Sequence, residues 1–188
     1  MNLANKITVL RIALIPFFVF FMSTNLFGEM GTWIALTLFC IAGITDLIDG
    51  YLARKYNLIT SFGKFMDPLA DKLLVGAAMI CLVGLGLLQA WIVAIIISRE
   101  FIISGFRLLA VDKGVIIVAS LWGKVKTVFQ MTMIIVLIAD YGGIFYILGF
   151  GGVFYILGQI LIWVSLVLTV ISLVDYLLKN KDVLVIEE

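Results

Sequence analysis

Two pairs of aspartates lie close together in the sequence, within residues 46–71. Asp46 and Asp49 are three residues apart, and Asp67 and Asp71 are four residues apart, so each pair shares one face of a helix. Two such charges about 4 Å apart repel by about 4 kcal/mol at an effective dielectric of about 20. Either some carboxylates are protonated or cations lie between them, and hard oxygen ligands suit Mg²⁺, Mn²⁺ or Ca²⁺. We interpret the pattern as a site for divalent ions, two of which would balance four carboxylates.

The rest of the composition limits the reactions in which these aspartates can take part. The chain contains no histidine, which excludes histidine bases, Ser-His-Asp triads and histidine metal ligands. A carboxylate is then the natural general base for deprotonating a hydroxyl group. Cys40 and Cys81 both lie in apolar stretches, so they predict no disulfide framework. Small residues between the aspartates allow close helix approach, which favours a binding site over solvated helix ends.

The elements that position these residues are predicted to be membrane helices. The sequence is 64% hydrophobic and 13% charged, which is far from the composition of soluble domains. Six apolar runs, each close to the roughly 20 residues that cross a bilayer, lack the alternation of barrel strands. We expect an all-α polytopic membrane protein with a short N-terminal cytoplasmic segment and one domain over residues 1–188. The six predicted transmembrane helices cover residues 8–26, 32–53, 67–87, 89–109, 119–140 and 153–178.

The basic residues lie on one side of this predicted topology. All 13 lysines and arginines fall at the N-terminus, in or beside the second and fourth connections, or in the C-terminal tail. The other three connections, residues 25–31, 84–89 and 141–152, contain none. Because cytoplasmic segments carry the excess of Lys and Arg, we expect both termini and the aspartates on the cytoplasmic side.

The spacing of the aspartates resembles the signature of the CDP-alcohol phosphatidyltransferase family. Every position of that signature is matched by Asp46-x-x-Asp49-Gly50-x-x-Ala53-Arg54, eight residues, and Gly63-x-x-x-Asp67-x-x-x-Asp71. The resemblance implies a six-helix membrane core, usually homodimeric, in which the four aspartates hold two divalent ions, Mg²⁺ or Mn²⁺, against the CDP pyrophosphate. It also implies that Asp71 is the general base. The residues that it assigns to the nucleotide site are Gly50, Ala53, Arg54 and Gly63.

Three further stretches resemble the bacterial phosphatidylglycerophosphate synthases within this family. They include Asn2-x-x-Asn5-x-Ile7-Thr8-x-x-Arg11, Ser98-Arg99-Glu100 with Ser104-Gly105-Phe106-Arg107, and Trp122-Gly123-Lys124-Val125-Lys126. The resemblance implies that the phosphatidyl group of CDP-diacylglycerol passes to sn-glycerol 3-phosphate, giving phosphatidylglycerophosphate and CMP. It places the enzyme in a bacterial-type plasma membrane and the acceptor region at residues 98–130.

An acceptor with a phosphate group needs cations beyond those that pair with the aspartates. Arg99 and Arg107 are eight residues apart, which puts them within about 80° on one helix face. Arginine suits bidentate phosphate recognition, and lysine supplies a point charge. Thr8 and Glu100 are predicted to support the site, and Glu100 could hold an arginine in place, for example Arg107. The predicted acceptor-phosphate residues are Arg11, Lys64, Arg99, Arg107, Lys124 and Lys126.

Other interpretations of the same residues stay open. Basic side chains near a membrane boundary also set topology or contact lipid headgroups, an interpretation that we prefer for Lys55, Lys113, Lys179 and Lys181. A related enzyme could use phosphatidylglycerol, serine or inositol phosphate as the acceptor, although serine would not require a phosphate-binding cluster. A divalent-metal transporter would also carry intramembrane carboxylates, but we would expect those to be strung through the bilayer.

Overall fold

The structure is a computed structural model that describes residues 3–55, 61–112 and 120–180. Helices dominate this part of the chain, which contains no β-strand and so confirms the all-α prediction. Six long helices overlap the six predicted spans, and a 3-10 turn and one short helix lie in the connections. In chain order the elements are α1 (Leu3–Ser23), the 3-10 turn (Asn25–Phe27), α2 (Gly28–Lys55), α3 (Ser61–Gly84), α4 (Ala90–Asp112), α5 (Leu121–Tyr141), α6 (Ile144–Ile147) and α7 (Gly151–Lys179).

The six long helices share one apolar core. Helix α1 packs against α2 and α3, while α7 packs against α5 and α4. The rings of Phe18 and Phe39 join α1 to α2, with centroids 5.9 Å apart. The same buried cluster takes side chains from the other long helices, among them Leu82, Ile96, Met133 and Leu161. Burial of these apolar groups holds the helices in fixed register, so polar side chains on different helices have defined neighbours.

Helices α5 and α7 approach closely along much of their length. At Gly158 on α7, an added Cβ would lie 3.1 Å from Cδ2 of Leu137 on α5. That distance is shorter than a normal contact between carbon atoms. The missing side chain therefore lets α7 approach α5, and this packing sets the position of polar residues farther along α7.

The polarity of α7 is reversed relative to a helix on the surface of a soluble protein. Ser165, Thr169 and Ser172 are fully buried, whereas Val167 and Val170 are about half exposed. A surface helix in water normally points its apolar residues inward. Apolar residues that point outward, with hydroxyl groups inside the bundle, indicate that lipid surrounds the helix.

Helix length and composition agree with a membrane protein. Among the described residues, three segments are long and apolar enough to cross a bilayer, and Ile7–Ser23 forms a shorter apolar helix. Helices α3 and α4 carry charged side chains within their length, including Lys72 and Arg99. Those charges lower their mean hydropathy. The three segments are Gly28–Thr45, Leu121–Tyr141 and Gly151–Lys179.

Candidate active site

The signature aspartates lie near the end of one helix and near the beginning of the next. Asp46 and Asp49 are within the last three turns of α2, and Asp67 and Asp71 are within the first three turns of α3. The side chain of Asp71 is described and is half-buried. The predicted site residues whose side chains lie outside the described part of the structure are Asp46, Asp49, Gly50, Ala53, Arg54, Gly63, Lys64 and Asp67.

The donor set of the signature fits hard divalent cations. All four predicted ligands are carboxylates, and oxygen ligands are those that Mg²⁺ and Mn²⁺ prefer. The described side chains alone include no group of three potential ligands, because Asp71 is the only signature aspartate among them. Its carboxylate is close enough to Lys72 and Lys126 for electrostatic attraction. Asp71 therefore joins the predicted metal site to a group of basic side chains.

These basic side chains form a cluster where α3, α4 and α5 meet. Lys72 on α3 donates a hydrogen bond to Oγ of Ser104 on α4, with 2.5 Å between the atoms. Lys126 on α5 donates to Oε1 of Glu100, which also accepts from Nη1 of Arg99 at 3.4 Å. We call Lys72, Arg99, Arg107 and Lys126, together with Glu100, the basic cluster. Lys72 lies near the middle of α3, Arg99 and Glu100 lie near the middle of α4, and Lys126 lies in the second turn of α5, so the cluster forms where these segments pack together.

Arg99 lies at the centre of the cluster and is 7% exposed. Its Nη2 donates to Oγ of Ser172 on α7, 2.7 Å away. A Cβ at Gly123 would lie 3.5 Å from the same nitrogen, so the first turn of α5 passes directly beside the guanidinium. Within the described structure, Nε of Arg99 has no hydrogen-bond partner. Because buried donors are normally satisfied, this nitrogen lacks a partner of the kind that an anionic ligand could supply.

Arg107 lies against an aromatic side chain instead of the carboxylate suggested by the sequence. Its guanidinium is 6.0 Å from the centroid of the Tyr176 ring on α7, within the range of a cation–π contact. The ion pairs of Glu100 are with Arg99 and Lys126. Glu100 therefore holds an arginine, as the sequence suggested, but that arginine is Arg99 and not Arg107, and Lys126 on α5 is its second partner.

The other predicted acceptor residues differ in burial. Lys126 is fully buried, whereas Lys124 is exposed, because side chains two positions apart on a helix point in nearly opposite directions. Arg11 and Thr8 are both buried on α1, and each interacts with a neighbouring group. The structure thus brings Arg99, Glu100 and Lys126 into contact and turns Lys124 away from them.

Comparison with known proteins supports the resemblance seen in the signature. The sequence pattern of CDP-alcohol phosphatidyltransferases matches residues 1–171 of this chain. The chain belongs to the CDP-alcohol phosphatidyltransferase family. The match includes the four signature aspartates, Arg99 and Lys126, and it ends one residue before Ser172.

Individual relatives of this CDP-alcohol phosphatidyltransferase match nearly its whole length. Three of them are named CDP-diacylglycerol–glycerol-3-phosphate 3-phosphatidyltransferase. The protein from Bacillus subtilis is 42% identical over 193 residues, which cover 97% of both chains. The protein from Rickettsia felis is 38% identical over 93% of both chains. The protein from Haemophilus influenzae is 38% identical over 96% of this chain and 94% of its own.

Several polar residues of this CDP-alcohol phosphatidyltransferase were not singled out from its sequence. Lys72 directly follows the last signature aspartate, and its contact with Ser104 depends on how α3 packs against α4. On α7, Ser165, Thr169, Ser172 and Tyr176 follow one another at intervals of four, three and four residues. That spacing is a helical stripe. This stripe could have identified the buried polar face of α7 from the sequence. Hydroxyl residues also occur in apolar helices where they only pack against a neighbouring helix.

Proposed function

We propose that the protein transfers the phosphatidyl group of CDP-diacylglycerol to sn-glycerol 3-phosphate, giving phosphatidylglycerophosphate and CMP in phospholipid biosynthesis. The observation that carries this proposal is the basic cluster beside the carboxylate of Asp71. Relatives that match nearly the whole chain are named for the same reaction. Family membership supports a CDP-activated substrate, and the cluster supports an acceptor with a negative charge.

The basic cluster suits an acceptor that carries a phosphate group. Its four cations are accompanied by the carboxylate of Glu100, which leaves an excess of three positive charges, since the proposed divalent cations balance the charge of Asp71. A phosphate oxygen would also satisfy the buried Nε of Arg99 through a charge-assisted hydrogen bond. Serine would leave this excess uncompensated, and phosphatidylglycerol would require space for a second lipid. The cluster thus favours sn-glycerol 3-phosphate over serine and phosphatidylglycerol, and the names of the relatives favour it over inositol phosphate.

The signature supplies the site for the activated lipid. Divalent cations at this site would stabilise negative charge on the pyrophosphate oxygens and on the departing CMP. Small residues leave room for the nucleotide against the helix backbone, and the guanidinium of Arg54 can pair with a phosphate. In this proposal Gly50, Ala53, Arg54 and Gly63 line the nucleotide site. The residues that hold two divalent cations, Mg²⁺ or Mn²⁺, are Asp46, Asp49, Asp67 and Asp71.

Asp71 is the proposed general base. It removes the proton from the free primary hydroxyl of glycerol 3-phosphate while Arg99 binds the phosphate at the other end. The hydroxyl oxygen attacks the phosphatidyl phosphorus, and the bond between that phosphorus and the CMP oxygen breaks. Most of the rate then comes from positioning and electrostatic stabilisation, as in other phosphoryl transfers.

The proposal includes an arrangement in the membrane. Helices α1 to α5 and α7 form six spans of one domain, with both termini and the active site on the cytoplasmic side of a bacterial-type plasma membrane. The segregation of the 13 basic residues supports this orientation. CDP-diacylglycerol keeps its acyl chains in lipid, and glycerol 3-phosphate arrives from the cytoplasm. A homodimer is proposed because the resembled family is typically homodimeric.

The direct test supplies the purified protein with CDP-diacylglycerol, Mg²⁺ or Mn²⁺, and labelled glycerol 3-phosphate. It measures CMP release together with transfer of the label to phosphatidylglycerophosphate. Asp71→Asn keeps the size of the side chain and removes its basicity. Loss of a general base costs a factor of about 10²–10⁴ in rate, and we expect at least that loss here. Asp140→Asn makes the same change near the C-terminal end of α5 and serves as the matched control. Normal turnover by Asp71→Asn would exclude Asp71 as the base.

Two further measurements separate the alternatives. Serine, inositol phosphate and phosphatidylglycerol are each offered in place of glycerol 3-phosphate, and CMP release identifies the preferred acceptor. Greater turnover with any of the three would replace the proposed acceptor. In proteoliposomes, flux of Mn²⁺ without turnover of CDP-diacylglycerol would instead identify a metal transporter.

A further inference from the structure

The side chain of Ser172 makes two hydrogen bonds whose directions are fixed by their partners. Its Oγ accepts from Nη2 of Arg99 at 2.7 Å and donates to the carbonyl oxygen of Thr169 at 3.3 Å. A guanidinium can only donate and a carbonyl can only accept. The single hydrogen of the hydroxyl is therefore committed to Thr169, and an oxygen lone pair faces Arg99. Ser172 is fully buried, so water does not compete for these bonds.

A hydroxyl acceptor holds the guanidinium without neutralising its charge. Lys126 shows the opposite arrangement, because its ammonium is bound directly to the carboxylate of Glu100. The contact between Arg99 and the same carboxylate is longer, at 3.4 Å. Arg99 thus keeps more of its positive charge for a ligand than Lys126 does. Its Nε is a buried donor that has no partner among the described residues.

We propose that Ser172 is a positioning residue for the acceptor phosphate and acts through Arg99. This inference rests on the proposed function, in which Arg99 binds the phosphate of glycerol 3-phosphate. The hydrogen bond to Ser172 fixes Nη2, and a planar guanidinium fixed at one nitrogen has Nε oriented as well. The residue lies on α7, outside the region that matches the family pattern. The last helix therefore contributes to acceptor binding in this chain.

The test compares Michaelis constants for the two substrates in the full-length protein. Ser172→Ala removes the oxygen that holds Arg99, and Ser172→Cys fills the same space with a weaker acceptor. A hydrogen bond to a charged group corresponds to about a tenfold effect. We expect KM for glycerol 3-phosphate to rise about tenfold in Ser172→Ala and by less in Ser172→Cys. KM for CDP-diacylglycerol should stay within about twofold of the wild-type value.

Ser165→Ala is the matched control for this experiment. Ser165 is also fully buried on α7, and its Oγ has no hydrogen-bond partner among the described residues. The same atom is then lost from the same helix without touching Arg99, so both Michaelis constants should stay at the wild-type values. A purely structural role for Ser172 would move both constants together or would be reproduced by Ser165→Ala.

The outcomes separate this inference from the proposed function. No CMP release by the wild-type protein with glycerol 3-phosphate would overturn the proposed function itself. Wild-type turnover together with an unchanged KM for glycerol 3-phosphate in Ser172→Ala would overturn only the role of Ser172. If Ser172→Ala does not fold, Ser172→Cys decides in the same way. A rise in KM that is confined to glycerol 3-phosphate supports the positioning role.

Discussion

The carboxylate of Glu100 holds two cations that depend on it to different degrees. Lys126 is fully buried, and Glu100 is the carboxylate that accepts its hydrogen bond. Arg99 has a second anchor in the hydroxyl of Ser172. Because an unpaired ammonium inside a protein costs several kcal/mol, Lys126 needs Glu100 more than Arg99 does. Glu100 therefore stabilises the fold chiefly through Lys126.

A double-mutant cycle tests this dependence. Glu100→Gln leaves Lys126 without its carboxylate, and we expect the free energy of unfolding to fall by about 3 kcal/mol. Lys126→Met leaves Glu100 with Arg99 and with some exposure to solvent, so its cost should be smaller. The double variant should be close in stability to Lys126→Met, with a coupling energy of about 1–3 kcal/mol. The measurement is denaturant unfolding in detergent micelles, and additive single effects would contradict the pairing.

At the scale of helices, the apolar composition of the sequence predicts where the long helices lie. The six long helices overlap the six predicted apolar runs, and three of them contain described segments that are long and apolar enough to cross a bilayer. Helix α6 was not predicted, because it is a single turn inside an uncharged connection. Gly143 and Gly149, with φ of 75° and 79°, adopt left-handed conformations on either side of it. Such a turn depends on two backbone angles that apolar periodicity does not encode.

Substitutions at two glycines are expected to change the stability of the protein in opposite directions, because helix packing differs around them. Gly158→Leu places a large side chain where a Cβ alone would be 3.1 Å from Leu137, and overpacking typically costs about 1–3 kcal/mol. Gly76→Ala in the interior of α3 meets nothing within 4 Å, so better helix propensity should stabilise the protein by up to about 1 kcal/mol. Thermal unfolding in the same detergent measures both. Equal stabilities for the two variants would mean that α5 and α7 are not closely packed at Gly158.

At the scale of the whole molecule, the site contains both residues that are close together in the sequence and contacts between residues that are far apart in it. The four aspartates and the pair Arg99 and Glu100 are visible in the sequence because they lie close together along it. The contacts from Lys72 to Ser104 and from Arg99 to Ser172 join residues that are 32 and 73 positions apart. Their existence depends on the relative rotation of packed helices. Sequence spacing therefore predicted the types of group in the site, while the fold was needed to identify their partners.

The whole-molecule prediction concerns which side of the membrane each end of the bundle faces. After Cys40 and Cys81 are replaced by alanine, single cysteines are introduced at Lys124, Lys179 or Tyr146, all of which are exposed. In intact bacterial cells, a membrane-impermeant maleimide should label Tyr146→Cys and leave the two lysine-replacement variants unlabelled. Inverted membrane vesicles should give the reverse pattern. Lys124 lies in the first turn of α5, and Lys179 is the last residue of α7. Six spans would therefore place both at the cytoplasmic face, as the distribution of basic residues predicts. Labelling of Lys179→Cys from outside the cell would mean an odd number of crossings after Lys124 and would remove the common cytoplasmic end on which the proposed active site depends.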